Sequence, residues 1–289
     1  MNQMDSDSGT TSNTPSKRLV GKVAVVTGGA RGIGAATARA LAASGAHVVI
    51  ADVLDKPGSD LAASIDGRYS HCDVSVERDV ERAVRMALDW KGRLDIMFNN
   101  AGVAGPDGSI TALETDQLAS LLAVNLHGVV HGIKHAARAM IEGENKGTII
   151  CTSSSAAVMG GLAGHAYTMS KGAILALARS TACELGAYGI RVNCVSPHGV
   201  PSEMLVGGYR RVLGDPSLGE EDVRRIVREG GMSVLRGRVA SVEDVARGVL
   251  FLASDDDSGF VTGHNLVIDG GFTSANNQMS LMYHNSQPR

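Results

Sequence analysis

The stretch Val23-Ala-Val-Val-Thr27-Gly28-Gly29-Ala30-Arg31-Gly32-Ile33-Gly34 joins a short β-branched run to a glycine-rich loop, and an Ala/Leu-rich segment follows it. The β-branched run favours a buried strand, whereas the segment after the loop favours a helix. Glycines at such a junction permit a tight turn and let a pyrophosphate reach the backbone at the helix N-terminus. An ordinary strand–helix turn is the alternative. We predict a nucleotide-binding loop, with contacts from Gly28, Arg31, Gly32, Ile33 and Gly34.

The same alternation of β-branched runs and helical segments continues along most of the chain. It predicts a parallel sheet with helices on both faces, that is, an α/β fold of the doubly wound, Rossmann-like type in a single domain. Strands are predicted at 23–27, 47–51, 68–72, 96–99, 148–151, 192–195 and 266–268. Helices are predicted at 33–44, 76–91, 115–141, 166–186 and 241–253.

Composition sets the boundaries of this domain. Residues 1–17 are rich in Ser, Thr, Asn and Asp and are predicted to be a disordered tail, without the hydrophobic core of a signal peptide. The dinucleotide-binding and catalytic domain is assigned to 18–272, and 273–289 to a C-terminal tail. Within the domain, 203–232 is the longest stretch without a clear pattern, and we expect an irregular lid over the substrate there.

Charge and cysteine usage exclude several classes of function. The 289 residues are 44% hydrophobic and 20% charged, with a net charge of -3, so no basic field is present to recruit nucleic acid or anionic membrane. No apolar run approaches the roughly 20 residues that span a bilayer. The four cysteines lack the spacing of metal ligands, which favours reduced thiols, a cytoplasmic location and no metal. They are Cys72, Cys151, Cys183 and Cys194.

The stretch Tyr167-Thr-Met-Ser-Lys171 places a phenol and an ammonium four residues apart. On a helix, both side chains project from one face. A nearby cation favours the phenolate and lowers a tyrosine pKa that is ordinarily about 10. The spacing therefore predicts a tyrosine general acid/base. An amphipathic helix with a surface lysine is the alternative.

These features occur in an order that resembles the short-chain dehydrogenase/reductase family. The glycine loop has the G-x-x-x-G-x-G form, Asn99-Asn100-Ala101-Gly102 follows the fourth predicted strand, and Ser153-Ser154-Ser155 precedes the tyrosine. The resemblance covers about 20–272. Strings such as Lys134-His-Ala-Ala-Arg138-Ala-Met140 further resemble plant secondary-alcohol dehydrogenases of the xanthoxin, secoisolariciresinol, isopiperitenol and borneol dehydrogenase type.

The resemblance implies a catalytic set. Tyr167 would exchange the proton of the substrate hydroxyl, and Lys171 would lower the tyrosine pKa and bind the nicotinamide ribose. Ser154, 13 residues before the tyrosine, would bind the substrate oxygen, with its two serine neighbours as decoys. Asn125 would shape a water path from the lysine to solvent. A core amide bonded to backbone is the other interpretation of Asn125, and the two interpretations are compatible.

The resemblance also implies a cofactor site that favours NAD. Asp52, at the end of the second predicted strand, would accept hydrogen bonds from the adenosine ribose and repel a 2′-phosphate. Arg31 argues the other way, since a base at this position pairs with that phosphate in NADP-using relatives. Asp73 would contact adenine, although a helix N-cap is an alternative role. Further cofactor contacts are expected from Val74, Asn100, Ala101, Gly102, Tyr167, Lys171, Pro197, Val200 and Ser202.

The expected substrate is a small hydrophobic alcohol or ketone. Apolar side chains near the catalytic residues suit a bulky cyclic alcohol, with borneol-like monoterpenols as the first choice. His198 stands where the family has glycine, and we expect it to fill space beside the nicotinamide rather than bind substrate. The family further implies a homotetramer. Substrate contacts are expected from Ser154, Met159, Gly160, Met204 and Leu205.

Together these predict NAD-dependent oxidation of a hydrophobic cyclic secondary alcohol to the ketone. An NADP-dependent carbonyl reductase is the alternative of the same fold, supported by Arg31. A non-catalytic NAD-binding sensor or scaffold is the alternative from another class. Such proteins usually lose the tyrosine, lysine or serine, and this chain keeps all three.

Overall fold

Seven parallel strands form one continuous sheet in the spatial order β3-β2-β1-β4-β5-β6-β7. The computed structural model describes residues 18–275, so the two predicted tails lie largely outside the described residues. The chain order reverses between β1 and β4, which opens a crevice at the carboxyl ends of these strands. The strands are β1 (Val23–Thr27), β2 (His47–Asp52), β3 (Arg68–His71), β4 (Ile96–Asn99), β5 (Thr148–Thr152), β6 (Arg191–Pro197) and β7 (Asn265–Ile268).

Helices cover both faces of the sheet, as predicted. They are α1 (Gly32–Ala43), α2 (Asp55–Ser64), α3 (Glu77–Lys91), α4 (Thr115–Leu122), α5 (Gly128–Glu142), α6 (His165–Leu185), α7 (Glu203–Leu213), α8 (Glu220–Glu229), α9 (Val242–Ala253) and α10 (Asp255–Ser258). None of the helices within residues 18–275 has both the length and the apolar character needed to cross a bilayer.

The period-two alternation of strand side chains divides the core into two layers. Val23 and Val25 of β1 face the layer that contains α3, α5 and α6. Ala24 and Val26 face the opposite layer, with α1 and α9. Because both faces are covered, β1 is buried along its whole length, and this explains why it is apolar from Val23 to Val26.

The structure corrects two predictions about helices. The predicted helix 115–141 is interrupted by a π-helical turn at Ala123–His127, which separates α4 from α5. The stretch 203–232, expected to be irregular, contains α7 and α8. These two helices pack together through Val206, Val223 and Val227, a small core of their own. Because glycines and charged residues lie between these valines, the helical spacing of the valines was not recognised in the sequence.

Candidate active site

A cavity of about 1030 Å³ lies at the carboxyl ends of the strands. The glycine loop, Asp52, the Asn-Asn-Ala-Gly segment, the serine cluster and α6 all contribute to its wall. Of the predicted site residues, the lining includes Gly28, Arg31, Gly32, Ile33, Asp52, Asp73, Val74, Asn100, Ala101, Gly102, Ser154, Tyr167, Lys171, Pro197, Val200, Ser202, Met204 and Leu205.

The glycine loop has the geometry of a phosphate cradle. Gly28 and Gly32 have φ angles of +61° and +55°, which other residues rarely adopt. A Cβ on Gly34 would lie 2.0 Å from the carbonyl oxygen of Gly28, so only glycine permits this close approach. At the start of α1, the side chain of Arg31 makes no capping hydrogen bond. The uncapped N–H groups and the close-packed glycines fit the pyrophosphate of a dinucleotide.

Asp52 is held rigidly beside this loop. Its Oδ2 accepts a hydrogen bond of 2.9 Å from the N–H of Ala30, and its Oδ1 accepts one of 3.0 Å from Leu54. The side chain is buried at the end of β2 yet lines the cavity. A fixed carboxylate at this point suits the hydroxyls of an adenosine ribose.

Asn100 ties β4 to β1 at the switch point. Its Nδ2 donates to the carbonyl oxygens of Thr27 and Gly28, at 3.2 and 3.1 Å. The hydroxyl of Thr27 accepts from the N–H groups of Asn100 and Ala101. The segment thus joins the centre of the sheet and keeps its backbone close to the glycine loop.

Asp73 forms a local turn rather than a helix cap. Its Oδ1 accepts hydrogen bonds from the N–H and the hydroxyl of Ser75, at 2.9 and 2.7 Å. Val76 occupies the N-cap position of α3, so neither Asp73 nor Ser75 takes it. Asp73 and Val74 line the cavity, and a contact with adenine stays a prediction.

Lys171 is buried beneath the cavity floor, with 3% of its surface exposed. Its Nζ donates a hydrogen bond of 2.9 Å to the carbonyl oxygen of Thr152 and lies 5.6 Å from the centroid of the Tyr167 ring. Burial disfavours the charged form and lowers the pKa of this ammonium to about 8. Lys171 is therefore a cation that titrates close to neutral pH.

Tyr167 departs from the expectation for its pKa. Burial raises the pKa of the phenol, and its hydrogen bond with Ser154 opposes that effect without reversing it. We predicted a lowered pKa from the neighbouring cation, and for the protein alone this is wrong. Loss of hydration on burial outweighs the hydrogen bond with Ser154, and the neighbouring ammonium is itself bonded to the Thr152 carbonyl.

The three serines have separate roles. Ser154 bonds with Tyr167, and its Oγ also accepts from the N–H of Ala156 at 3.1 Å. Ser153 donates to the carbonyl oxygen of Lys171 at 2.8 Å, and Ser155 pairs with Nδ1 of His198 at 2.8 Å. The geometry therefore pairs Ser154 with the tyrosine, while Ser153 anchors the backbone of α6 and Ser155 holds the ring of His198.

Asn125 is fully buried in the π-helical turn. Its Oδ1 accepts from the N–H of Val103 at 2.8 Å, and its Nδ2 donates to the Val103 carbonyl and to the Ser170 hydroxyl. These contacts match the interpretation as a core amide bonded to backbone. The water path from Lys171 stays a prediction.

Comparison with known proteins identifies the family. The sequence model described as enoyl-(acyl carrier protein) reductase matches residues 28–273. Over 267 residues the chain is 58% identical to short-chain dehydrogenase reductase ATA1 of Arabidopsis thaliana, a match that covers 92% of this chain and 98% of that protein. The chain belongs to the short-chain dehydrogenase/reductase family. It is thus an oxidoreductase of a family that uses a nicotinamide cofactor.

Two further relatives support the family assignment. The chain is 45% identical over 269 residues to (+)-borneol dehydrogenase 2 of Salvia officinalis, covering 91% of this chain and 93% of that protein. The crystal structure of levodione reductase superposes with a TM-score of 0.81 at 28% identity, covering 89% of this chain and all of that one. The Rossmann-like fold and the short-chain dehydrogenase/reductase resemblance are therefore confirmed.

The substrate wall of this short-chain dehydrogenase/reductase differs from the prediction at two positions. Met204 and Leu205 of α7 line the cavity, whereas Met159 and Gly160 do not. Both lie in an exposed turn after the serine cluster, and their place in the wall is taken by the next residues along the chain, Gly161 and Leu162. In an exposed turn, no apolar periodicity indicates which side chains point into the cavity, so the sequence could not exclude Met159 and Gly160.

Sequence reasoning also missed several residues of the wall. His165, Glu203 and Phe272 line the cavity, and none was predicted to do so. His165 begins the catalytic helix two residues before Tyr167, and Phe272 lies in the Asp269-Gly-Gly-Phe-Thr273 string that resembles the plant enzymes. His165 could have been nominated from its distance along the chain to Tyr167, and Phe272 from its place in that string. Within residues 18–275, no group of His, Cys, Asp and Glu side chains is arranged to hold a metal ion.

His198 links the serine cluster to the end of the domain. Its ring stacks on Phe272 with a centroid distance of 4.2 Å and an interplanar angle of 13°, while Nδ1 pairs with Ser155. Its Nε2 is buried without a hydrogen-bond partner among the described residues. Burial lowers the pKa of the imidazole, with Asp269 opposing the effect. The residue both fills space and lines the cavity.

We expect acid to destabilise the protein partly through His198. The folded pKa lies below the unfolded value of about 6.5, so the unfolded chain takes up a proton first as the pH falls. Stability from this group is complete above pH 6.5 and decreases below it. His198→Asn should therefore lose less unfolding free energy between pH 7 and pH 5 than the wild type, measured by urea denaturation. The exposed His127→Asn serves as control, and equal losses in all three proteins would contradict this account.

Proposed function

We propose that this protein catalyses the NAD-dependent oxidation of a hydrophobic cyclic secondary alcohol to its ketone. The observation that carries the proposal is the single cavity that joins the glycine loop and Asp52 to Ser154, Tyr167 and Lys171. The first two features suit a dinucleotide, and the last three suit proton exchange at a hydroxyl oxygen. The bound nicotinamide would supply the hydride-accepting carbon.

The protein side chains would handle the proton and the developing charge. Tyr167 Oη removes the proton from the alcohol oxygen as the carbonyl forms. Ser154 Oγ donates a hydrogen bond to that oxygen, where negative charge develops. Lys171, held by the Thr152 carbonyl, supplies a positive charge below the tyrosine and favours its phenolate form.

A raised tyrosine pKa sets the expected direction of the pH dependence. Oxidation needs the phenolate of Tyr167, and burial raises the pKa of this group. The fraction of phenolate therefore increases as the pH rises above neutral. Under the proposal, the rate of alcohol oxidation increases under alkaline conditions. The rate of ketone reduction, which needs the phenol, does not.

The preference for NAD is argued from Asp52. Its carboxylate is fixed by Ala30 and Leu54, so it cannot turn away from a 2′-phosphate. We expect Asp52→Asn to lower the NAD-to-NADP ratio of kcat/KM by roughly tenfold, because one like charge facing the phosphate is removed. Asp60→Asn, an exposed carboxylate on α2, is the matched control. An unchanged ratio in Asp52→Asn would mean that this residue does not read the ribose.

The substrate class is argued from the apolar part of the cavity wall. Val103, Leu162, Met204 and Leu205 are apolar and line the same cavity as the glycine loop. The relative named (+)-borneol dehydrogenase 2 supports a cyclic monoterpenol. An identity of 45% supports the class of reaction more strongly than the particular alcohol.

Location and assembly complete the proposal. We place the enzyme in the cytoplasm as a homotetramer formed through its long helices. Val130 on α5 and Met169 on α6 expose apolar side chains, which supports burial of these faces against another copy.

The deciding experiment follows NADH formation with purified protein, NAD and a panel of terpenoid and lignan secondary alcohols, repeated with NADP. NADH formation with a cyclic monoterpenol is the expected result. Turnover with NADP alone would favour the carbonyl reductase. Binding of NAD without turnover of any alcohol in the panel would favour a narrower substrate or the non-catalytic sensor.

A further inference from the structure

An ion pair crosses the mouth of the cofactor side of the cavity. The guanidinium of Arg31, in the glycine loop, pairs with the carboxylate of Glu203, the first residue of α7. The two residues are 172 positions apart in sequence. Both line the cavity, and their side chains are 58% and 70% exposed, so a bound ligand can reach them.

Arg31 is also next to the residue that anchors Asp52. The N–H of Ala30 donates to Oδ2 of Asp52 at 2.9 Å, which places that carboxylate beside the loop. The Arg31 guanidinium nevertheless pairs with Glu203 across the cleft rather than with Asp52. Asp52, Glu203 and Arg31 thus all line the cavity, and the guanidinium takes Glu203 as its carboxylate partner.

We propose that Glu203 is a specificity-determining residue for the cofactor, because it holds the Arg31 guanidinium and so denies it to a 2′-phosphate. This inference rests on the proposed NAD-dependent function. A free arginine at this position would bind a phosphate through two parallel hydrogen bonds. An arginine already paired with a carboxylate must first break that contact. Arg31 therefore contributes little affinity for NADP while Glu203 is present.

The chemistry of the pair suits such a role better than a role in folding. Exposed ion pairs contribute little to stability, and salt screens them. Substitution of Glu203 should therefore leave the fold intact. The nearby N-terminus of α7 retains Ser202 and its backbone contact with Val200, at 2.7 Å. Glu203→Gln keeps the size of the side chain and removes only its charge.

The test is a double-mutant cycle read by calorimetric binding of NAD and NADP. We expect Glu203→Gln to strengthen NADP binding by roughly tenfold, the size of one added charge-assisted hydrogen bond, with NAD binding within about twofold of wild type. Arg31→Gln alone should change NADP binding little. In the double variant Arg31→Gln, Glu203→Gln, the gain should disappear.

Glu220→Gln is the matched control for these variants. Glu220 makes an exposed ion pair with Arg224 at 2.9 Å on the neighbouring helix α8, and it does not line the cavity. Its loss should leave the affinities for both nucleotides unchanged. Circular dichroism and thermal unfolding of every variant confirm that differences in binding come from folded protein.

Two outcomes among the variants would overturn the inference. One is an unchanged NADP affinity in Glu203→Gln, and the other is a gain that persists in the double variant, since Arg31 would then not mediate it. A wild type that prefers NADP would reject both this inference and the NAD-dependent function. Tight NAD binding without oxidation of any alcohol would reject only the proposed activity, because the cycle measures binding and not turnover.

Discussion

Tyr167→Phe is expected to lower turnover by about 10³-fold while NAD affinity stays within about twofold of wild type. The substitution removes one oxygen atom, the only atom of this side chain that can exchange a proton with substrate. The ring and its packing above Lys171 remain, at the 5.6 Å distance seen for the tyrosine. The loss should therefore appear in kcat and not in cofactor binding.

Steady-state kinetics and calorimetric NAD titration of the same preparation check this prediction. Tyr188→Phe is the matched control, because Tyr188 is an exposed tyrosine outside the cavity. Retained turnover in Tyr167→Phe would overturn the assignment of the general base. Equal loss of turnover and of NAD affinity would instead point to a structural role for the hydroxyl.

Lys171→Met is expected to reduce turnover by about 10²-fold and, at the same time, to stabilise the protein without cofactor. Burial lowers the lysine pKa from an ordinary 10.5 to about 8, so below pH 8 the folded protein carries the whole penalty of a buried cation. Each pKa unit corresponds to about 1.4 kcal/mol. After subtraction of about 1 kcal/mol for the lost hydrogen bond to Thr152, the net gain at pH 7 is about 2 kcal/mol.

The pH dependence of this gain has a defined sign. Between pH 8 and pH 10.5 the unfolded chain binds more protons at Lys171 than the folded chain, so wild-type stability rises with pH over this window. Lys171→Met removes that rise. Urea denaturation at pH 7 and pH 10 measures it, with Lys56→Met, an exposed lysine, as control. A variant less stable than wild type at pH 7 would mean that Lys171 is stabilised in its charged form.

The strands of the sheet could be predicted from the sequence because most of them are marked by a short run of apolar residues. Strands buried on both faces are rich in apolar residues, and such runs are visible without any knowledge of the fold. The same holds for the glycine loop, where Gly34 is required by a contact with Gly28 only six residues away. All seven strands and the Rossmann-like fold were predicted for these reasons.

The remaining features depend on contacts between distant parts of the chain. Val206, Val223 and Val227 form a core only when α7 and α8 meet, so 203–232 looked irregular. Glu203 and Arg31 are separated by 172 positions, and nothing in either neighbourhood predicts the pair. The raised pKa of Tyr167 likewise follows from its burial, a quantity that Tyr-x-x-x-Lys spacing does not contain.

The small core between α7 and α8 is separate from the two core layers that pack against the sheet. The catalytic floor is held by ties between β5 and α6, where Lys171 bonds to Thr152 and Ser153 bonds back to the Lys171 carbonyl. The apolar wall rests on Val206, Val223 and Val227, which belong to neither main core layer. Under the proposed function, substitutions in this wall would alter which alcohol fits, while the hydrogen bonds that hold Lys171 stay in place.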